Sequence, residues 1–302
     1  MKNFSINHLL KQLETVLIGK PQQIKLALSC ILARGHLLIE DLPGMGKTSL
    51  SHGLAHCLGL SYQRVQFTSD MLPADILGVS IFNKSDAQFN FHPGPIFNQM
   101  ILADEINRAS PKTQSALLEA MAEQQITVDG QTYALPQPFF VIATQNPTEQ
   151  SGTFPLPESQ LDRFMMRISI GYPAADAELA MLKNQQNTEF SQLEECLSVS
   201  SLQAIQEQVA QVSASDSLLK YILALVNTSR TLEQSAGLSP RASIAILQAA
   251  KAWAFINERS YIVPEDVQTI FPHVAEHRIR QHSQQQGEVL SDKILSQVNP
   301  IL

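Results

Sequence analysis

The run Pro43-Gly44-Met45-Gly46-Lys47-Thr48-Ser49 carries the most chemistry in this sequence. Its glycines free the backbone to turn N–H groups inward, and a lysine and two hydroxyl residues follow at once. That order suits a polyphosphate. Backbone N–H groups ring the β-phosphate, Lys47 reaches the β- and γ-phosphates, and the Thr48 hydroxyl coordinates Mg2+. His36-Leu37-Leu38-Ile39-Glu40 before it reads as a short buried strand, and the residues from Lys47 to about Leu58 as a helix. This is the strand–loop–helix context in which the Walker A pattern is informative. The full pattern has glycine six residues before the lysine; here that position is Asp41, whose carboxylate is expected to point away from the phosphates. The cofactors implied are ATP and Mg2+.

Ile101-Leu102-Ala103-Asp104-Glu105 predicts a buried strand ending in two carboxylates. Beside a phosphate loop, Asp104 would hold the Mg2+ shell and Glu105 would orient or deprotonate the attacking water, giving an ATP hydrolase. Phe139 to Thr144 predicts another buried strand, and Asn146 just beyond it could hydrogen-bond the γ-phosphate or the lytic water. Arg163 and Arg167 follow near the last predicted strand, where an arginine can enter a neighbouring subunit's site as an arginine finger. Arg241, in Gly237-Leu238-Ser239-Pro240-Arg241, falls in the first turn of a helix. Positive charge there opposes the helix dipole and points to a ligand anion.

The elements that must position these residues follow from periodicity. Residues 5–34 read as two helices broken at Gly19-Lys20-Pro21. Further strands are expected at Tyr62 to Phe67, Met100 to Glu105, Phe139 to Thr144 and Arg167 to Tyr172, separated by helices or loops as βαβ units require. Ser110 and Pro111 mark a helix start by N-cap and first-position preference. Ile126-Thr127-Val128 and Gln131-Thr132-Tyr133 flank Asp129-Gly130, a hairpin signal. Beyond Tyr172-Pro173 the strands stop, and residues 176–299 read as helical, with helix starts at Ser239-Pro240 and Pro264. The fold class is α/β: a nucleotide-binding αβα core over 1–173, a linker at about 174–189 and a helical domain over 190–302. The Gln-rich segments 203–211 and 284–286 read as solvated faces.

A net charge of −7 argues against holding nucleic acid by bulk attraction. No apolar run approaches the length of a membrane span, and the N-terminus has no signal-peptide core. Three cysteines without a CxxC pair fit free, mostly buried thiols in a reducing cytoplasm. His273-Val274-Ala275-Glu276-His277 spells H-x-x-E-H, yet no third zinc ligand is identifiable, and a polar helix face is expected there. His52 and His56 are expected to be partly buried or at the surface.

Taken in order, Pro-Gly-x-Gly-Lys-Thr, Asp104-Glu105-Ile106-Asn107-Arg108-Ala109, Ala143-Thr144-Gln145-Asn146-Pro147, Leu156-Pro157-Glu158 through Phe164, and Ser239-Pro240-Arg241-Ala242 resemble the MoxR family of AAA+ ATPases over about residues 15–280. The resemblance implies an AAA+ core with a five-stranded parallel sheet (a P-loop NTPase) and a C-terminal helical lid. It implies ATP-driven homo-oligomeric rings, usually hexamers, with chaperone-like roles in remodelling, maturing or activating a protein partner, typically one with a von Willebrand factor A-type domain. Asn146 is similar to sensor 1, Arg163 to the arginine finger with Arg167 and Arg108 as competitors, and Arg241 to sensor 2. Ile18 and Gly19 lie in a segment resembling the adenine pocket, residues 65–95 match a region carrying an extra helix insert, and the hairpin would precede sensor 1. A DNA-directed motor or helicase loader would need basic pore loops, and the hairpin at 124–131 has no Lys or Arg. A low-turnover nucleotide-binding scaffold would not need Lys47, Asp104, Glu105, Asn146 and Arg163 together.

Overall fold

The computed structural model of the protein describes residues 2–85, 87–146, 152–183, 193–232, 235–280 and 289–300. Five short strands form one parallel sheet in the order β2 (Tyr62–Gln66), β5 (Met100–Asp104), β8 (Phe140–Gln145), β1 (Leu37–Glu40) and β9 (Met166–Ile168). Strands of a parallel sheet covered on both faces read as continuous apolar runs, which is why the central β1, β5 and β8 stand out in the sequence. Leu37, Ile39, Met100, Leu102, Phe140 and Ile142 enter one core with helices α1 (Lys2–Val16), α2 (Pro21–Leu32) and α3 (Lys47–Cys57). Leu38, Ile101, Ala103, Val141 and Ala143 form the other core with α5 (Pro111–Glu123), which α4 (Pro73–Leu77) and its neighbours help to close. As expected, Ser110 caps α5, its Oγ accepting the Thr113 N–H, with Pro111 at the first helical position.

The region 65–95, expected to carry an extra helix, holds a short helix and a hairpin that the sequence reading did not anticipate. The five-residue α4 precedes this antiparallel hairpin, β3 (Gly78–Asn83) with β4 (Gln88–Pro93). Gly78 and Gly94 explain the switch. A Cβ on either would meet opposing backbone at 2.3 Å, so the chain crosses itself too closely for side chains and the helix stops there. The other hairpin, β6 (Gln125–Val128) with β7 (Gln131–Ala134), turns at Asp129-Gly130 with φ of 50° and 77°, the positive values such a turn demands.

The remaining described elements are α6 (Glu158–Leu161), α7 (Ala175–Lys183), α8 (Val199–Ala210), α9 (Asp216–Thr231), α10 (Pro240–Ile256), α11 (Pro264–Ile279) and α12 (Leu290–Gln297). Helix α7 occupies much of the segment read as a linker; residues 184–189 and 284–286 lie outside the described residues. No described helix is long and apolar enough to cross a membrane. Cys30 and Cys57 are buried free thiols and Cys196 is partly buried. Burial pushes the Cys57 thiol up to about 12, with the neighbouring Cys196 adding to the effect.

Helix α11 corrects the expected polar face. Glu276, His277 and Arg278 are only 3%, 4% and 7% exposed. The reason lies in the edge strand β9 and the residues leading into it, whose carbonyls have no strand beyond them; His273 Nδ1 donates to the Arg167 carbonyl of β9 at 3.3 Å. Arg278 donates to the Phe164 and Met165 carbonyls at 2.7 and 3.1 Å, and His277 Nε2 donates to the Phe164 carbonyl at 3.1 Å. Glu276 accepts from the Ser291 N–H and from Arg280. A helix here covers a sheet edge with side-chain donors, as buried backbone acceptors require. Gln206 departs from the expected solvated face in the same way: it is buried and donates to the Ile31 carbonyl at 2.8 Å.

Two histidines are consequently held neutral. Burial keeps His277 well below its ordinary 6.5, and the nearby Arg278 and Arg167 add to the effect. Burial lowers His36 to about 4, and its Nδ1 accepts the Val141 N–H at 3.0 Å. A histidine whose folded value is depressed gives its full stabilisation above the unfolded value and loses it as pH falls toward the folded one. The thermal midpoint is therefore expected to drop between pH 6.5 and about 4. His277→Gln, which keeps an N–H donor but does not titrate, should flatten part of that slope. A midpoint constant across the window, by differential scanning fluorimetry, would contradict this.

Candidate nucleotide site

Strand β1 ends at Glu40, and the chain turns through the glycine loop directly into α3 at Lys47. Gly44 and Gly46 both have positive φ, 81° and 87°. A Cβ on Gly46 would also meet Leu17 Cδ1 at 2.7 Å, so this position excludes side chains by conformation and by space. The Lys47 ammonium donates to the Asp41 carbonyl at 2.5 Å and reaches the Gln145 carbonyl at 3.5 Å, spanning the ends of β1 and β8. Burial lowers its pKa, opposed by the negative charges of Asp41, Asp104 and Glu105. Asp41 points away from the cavity, as expected. Its Oδ2 accepts the Ile170 and Gly171 N–H groups, each at 2.6 Å, and the Ser169 hydroxyl at 3.1 Å; its Oδ1 accepts the Leu42 N–H. Burial alone would raise this carboxyl, but the bonds from Gly171, Leu42, Ile170 and Ser169 bring it below the ordinary value.

Parallel register sets the acids. Ala103 pairs with Ala143, so Asp104 and Thr144 emerge side by side. The buried Thr144 hydroxyl donates to Asp104 Oδ1 at 2.6 Å and accepts the Glu105 N–H at 2.8 Å. Glu105 has φ 56°, so the strand ends at Asp104, one residue earlier than expected. An extended backbone would send consecutive side chains to opposite faces; the left-handed turn lets both carboxylates line one cavity.

Sequence reasoning missed two contributors from the edge strand. Arg64 Nε and Nη2 lie 3.1 and 2.7 Å from Asp104 Oδ2, and Gln66 Nε2 donates to Glu105 Oε2 at 2.7 Å. The available signal was alternation: Tyr62, Arg64 and Gln66 put polar groups on every second position of an expected strand. With them, Pro43, Gly44, Gly46, Lys47, Thr48, Ser49, Asp104, Glu105 and Asn146 line a cavity of about 370 Å³. Met45 instead packs against the hydrophobic core. Ile18 and Gly19 are not in this lining; Gly19 lies against α7, where a Cβ would meet Ala177 at 2.7 Å.

The lining fits the implied cofactors. Lys47, the open positive-φ Gly44 and the N-terminus of α3 face the space a triphosphate would fill. Thr48, Asp104 and Glu105 supply the oxygen donors a hard cation prefers. Among the described residues no cluster of three His, Cys, Asp or Glu could hold a metal ion by itself.

The four arginines divide. Arg108 pairs with Glu105 at 3.0 Å, and Arg167 pairs with Glu40 across β9 and β1 at 2.6 Å. Arg163 donates to the Leu118 carbonyl of α5 at 3.0 Å. Arg241, its side chain 63% exposed, lies 3.7 Å from Asp162, which also receives Arg278 at 2.8 Å. Arg163, Arg167 and Arg241 do not line the cavity of their own chain.

Residues 36–166 match the family described as ATPase family associated with various cellular activities (AAA), and residues 226–298 match the AAA lid domain. The chain is 44% identical over 295 residues to an uncharacterised Bacillus subtilis protein, covering 95% of this chain and 92% of that one. It is 37% identical over 278 residues to Chaperone MoxR1 of Mycobacterium tuberculosis, covering 89% and 74% respectively. A crystal structure of a Cytophaga hutchinsonii protein assigned as an ATPase superposes with a TM-score of 0.88 at 38% identity, covering 98% of this chain and 95% of that one.

Asp41 carries a prediction independent of catalysis. Asp41→Asn places an amide where a carboxylate oxygen accepts two backbone N–H groups and a hydroxyl, so donors are left unmatched. The cost should be about 1–3 kcal/mol, read as a lower urea midpoint with unchanged slope. An unchanged midpoint would show that this carboxylate does not anchor the loop.

Proposed function

The chain belongs to the MoxR family of AAA+ ATPases, and on that footing we propose that it binds ATP with Mg2+ in this cavity and hydrolyses it. The observation that carries the reading is the convergence of Lys47, Thr48, Asp104, Glu105 and Asn146 on one cavity at the carboxyl ends of three parallel strands. Lys47 binds the β- and γ-phosphates, giving up its carbonyl contacts to do so. Glu105, held by Gln66, Arg108 and the Thr144 hydroxyl, orients a water and accepts its proton as the water oxygen bonds to the γ-phosphorus. The bond from that phosphorus to the bridging oxygen breaks, leaving ADP and phosphate. Asn146 steadies the water or the γ-phosphate. Thr48 and Asp104 would hold Mg2+, which would supply positive charge to the phosphate oxygens.

The same proposal extends to assembly. The core spans 1–173 and the helical lid 190–302, with Ile18 and Gly19 giving backbone contacts to adenine. Arg163 serves the site of the next subunit in a homo-oligomeric sixfold ring, and its partial exposure supports that placement. Arg241 acts as the lid's phosphate sensor. The ring remodels or activates a protein partner in the cytoplasm, one carrying a von Willebrand factor A-type domain. The chaperone name of the Mycobacterium relative supports a protein client.

Mixing two inactive variants tests hydrolysis and assembly together. Lys47→Ala should bind little ATP, and Arg163→Ala should bind it nearly normally yet turn it over poorly, since a transition-state charge is missing. Combined, they should recover part of the phosphate release, because head-to-tail contacts join an intact site to an intact finger. No recovery despite demonstrated subunit exchange would remove the finger role from Arg163.

A further inference from the structure

We propose that Arg64 is a placeholder for the metal: a positioning residue that holds Asp104 by the oxygen a divalent cation needs, so that guanidinium and cation compete for one carboxylate. The proposal rests on reading Asp104 as part of the Mg2+ shell. Arg64 pairs in register with Leu102, two residues before Asp104, and alternation puts Leu102 and Asp104 on one face of β5. The long side chain therefore runs along the strand to the carboxylate. Both of its contacts, at 3.1 and 2.7 Å, fall on Oδ2. The other oxygen, Oδ1, is taken by the buried Thr144 hydroxyl at 2.6 Å.

Asp104 thus has no oxygen without a hydrogen-bond donor, although its residue is only 8% exposed. A carboxylate so buried needs a compensating charge, and the guanidinium supplies it. A doubly charged ion arriving at the same oxygen would meet that guanidinium at contact distance, so one of the two must yield. Arg64 is the one with room to yield: its side chain is 49% exposed, against 12% for Asp104. Gln66 accepts from Arg64 Nη2 at 3.2 Å while donating to Glu105, so displacement of Arg64 is also felt at the second carboxylate. A merely structural pair this exposed would add little to stability. Its position on the metal's carboxylate is what gives it consequence.

The test titrates Mn2+, as a paramagnetic substitute for Mg2+, into ADP-saturated protein and follows water-proton relaxation. Arg64→Gln should tighten Mn2+ binding roughly three- to tenfold, the worth of a partly exposed ion pair plus its like-charge repulsion. Arg64→Lys, which keeps the charge without the planar fork, should fall between wild type and Arg64→Gln. Asp104→Asn should weaken Mn2+ binding and abolish the difference made by Arg64→Gln. Unchanged or weaker Mn2+ binding in Arg64→Gln, with Asp104→Asn still weakening it, would overturn the placeholder and leave the metal reading standing. Mn2+ affinity indifferent to Asp104→Asn would overturn both. Melting curves of each variant check folding, and Arg64→Lys keeps the comparison valid if Arg64→Gln is unstable.

Discussion

The arrangement of the site depends on one buried hydroxyl. Thr144 is fully buried at the end of β8, and its single proton goes to Asp104 while a lone pair receives the Glu105 N–H. The first bond fixes which way Asp104 faces. The second supports the left-handed backbone at Glu105, a conformation that costs a non-glycine residue about 1 kcal/mol or more unless its surroundings hold it. Only parallel pairing of β5 with β8 in the observed register brings hydroxyl and acids together. A shift of one residue would put Asp104 beside Ala143 and leave a carboxylate in an apolar layer.

Around that point the loop and the helical part are tied to the same sheet end. Asp41 links the phosphate loop to the segment after β9 through the Ile170 and Gly171 N–H groups, and Lys20 donates to the Tyr172 carbonyl at 2.6 Å. Asp162, beside Arg163, gathers Arg278 of α11 and Ser239 and Arg241 at the start of α10. The chain between β8 and α7 is therefore where the nucleotide cavity and the helices beyond residue 190 share partners.

Much of this was legible because it is local. A buried strand, glycines at positive φ and a lysine at a helix start lie within fourteen consecutive residues, 36–49, so their chemistry is written contiguously. The same holds for Ser110-Pro111 and Asp129-Gly130. What escaped depends on neighbours distant in sequence. Arg64 and Gln66 gain their meaning from strand β5, some forty residues on. Glu276 and His277 look like a solvated face until α11 meets the start of α12 and the residues leading into β9. The β3–β4 hairpin was hidden because Gly78 and Gly94, sixteen residues apart, show their role only when they are seen pressed together.

Glu105→Gln examines the hydrolytic assignment most directly, because it removes the proton acceptor while keeping the shape that Gln66 and Thr144 surround. Equilibrium dialysis gives the affinity for ATP with Mg2+, and phosphate release gives the turnover. Affinity within a few-fold of wild type with turnover lowered by roughly 10² or more is the expected result. Turnover within a few-fold of wild type would contradict it and take the catalytic role away from Glu105.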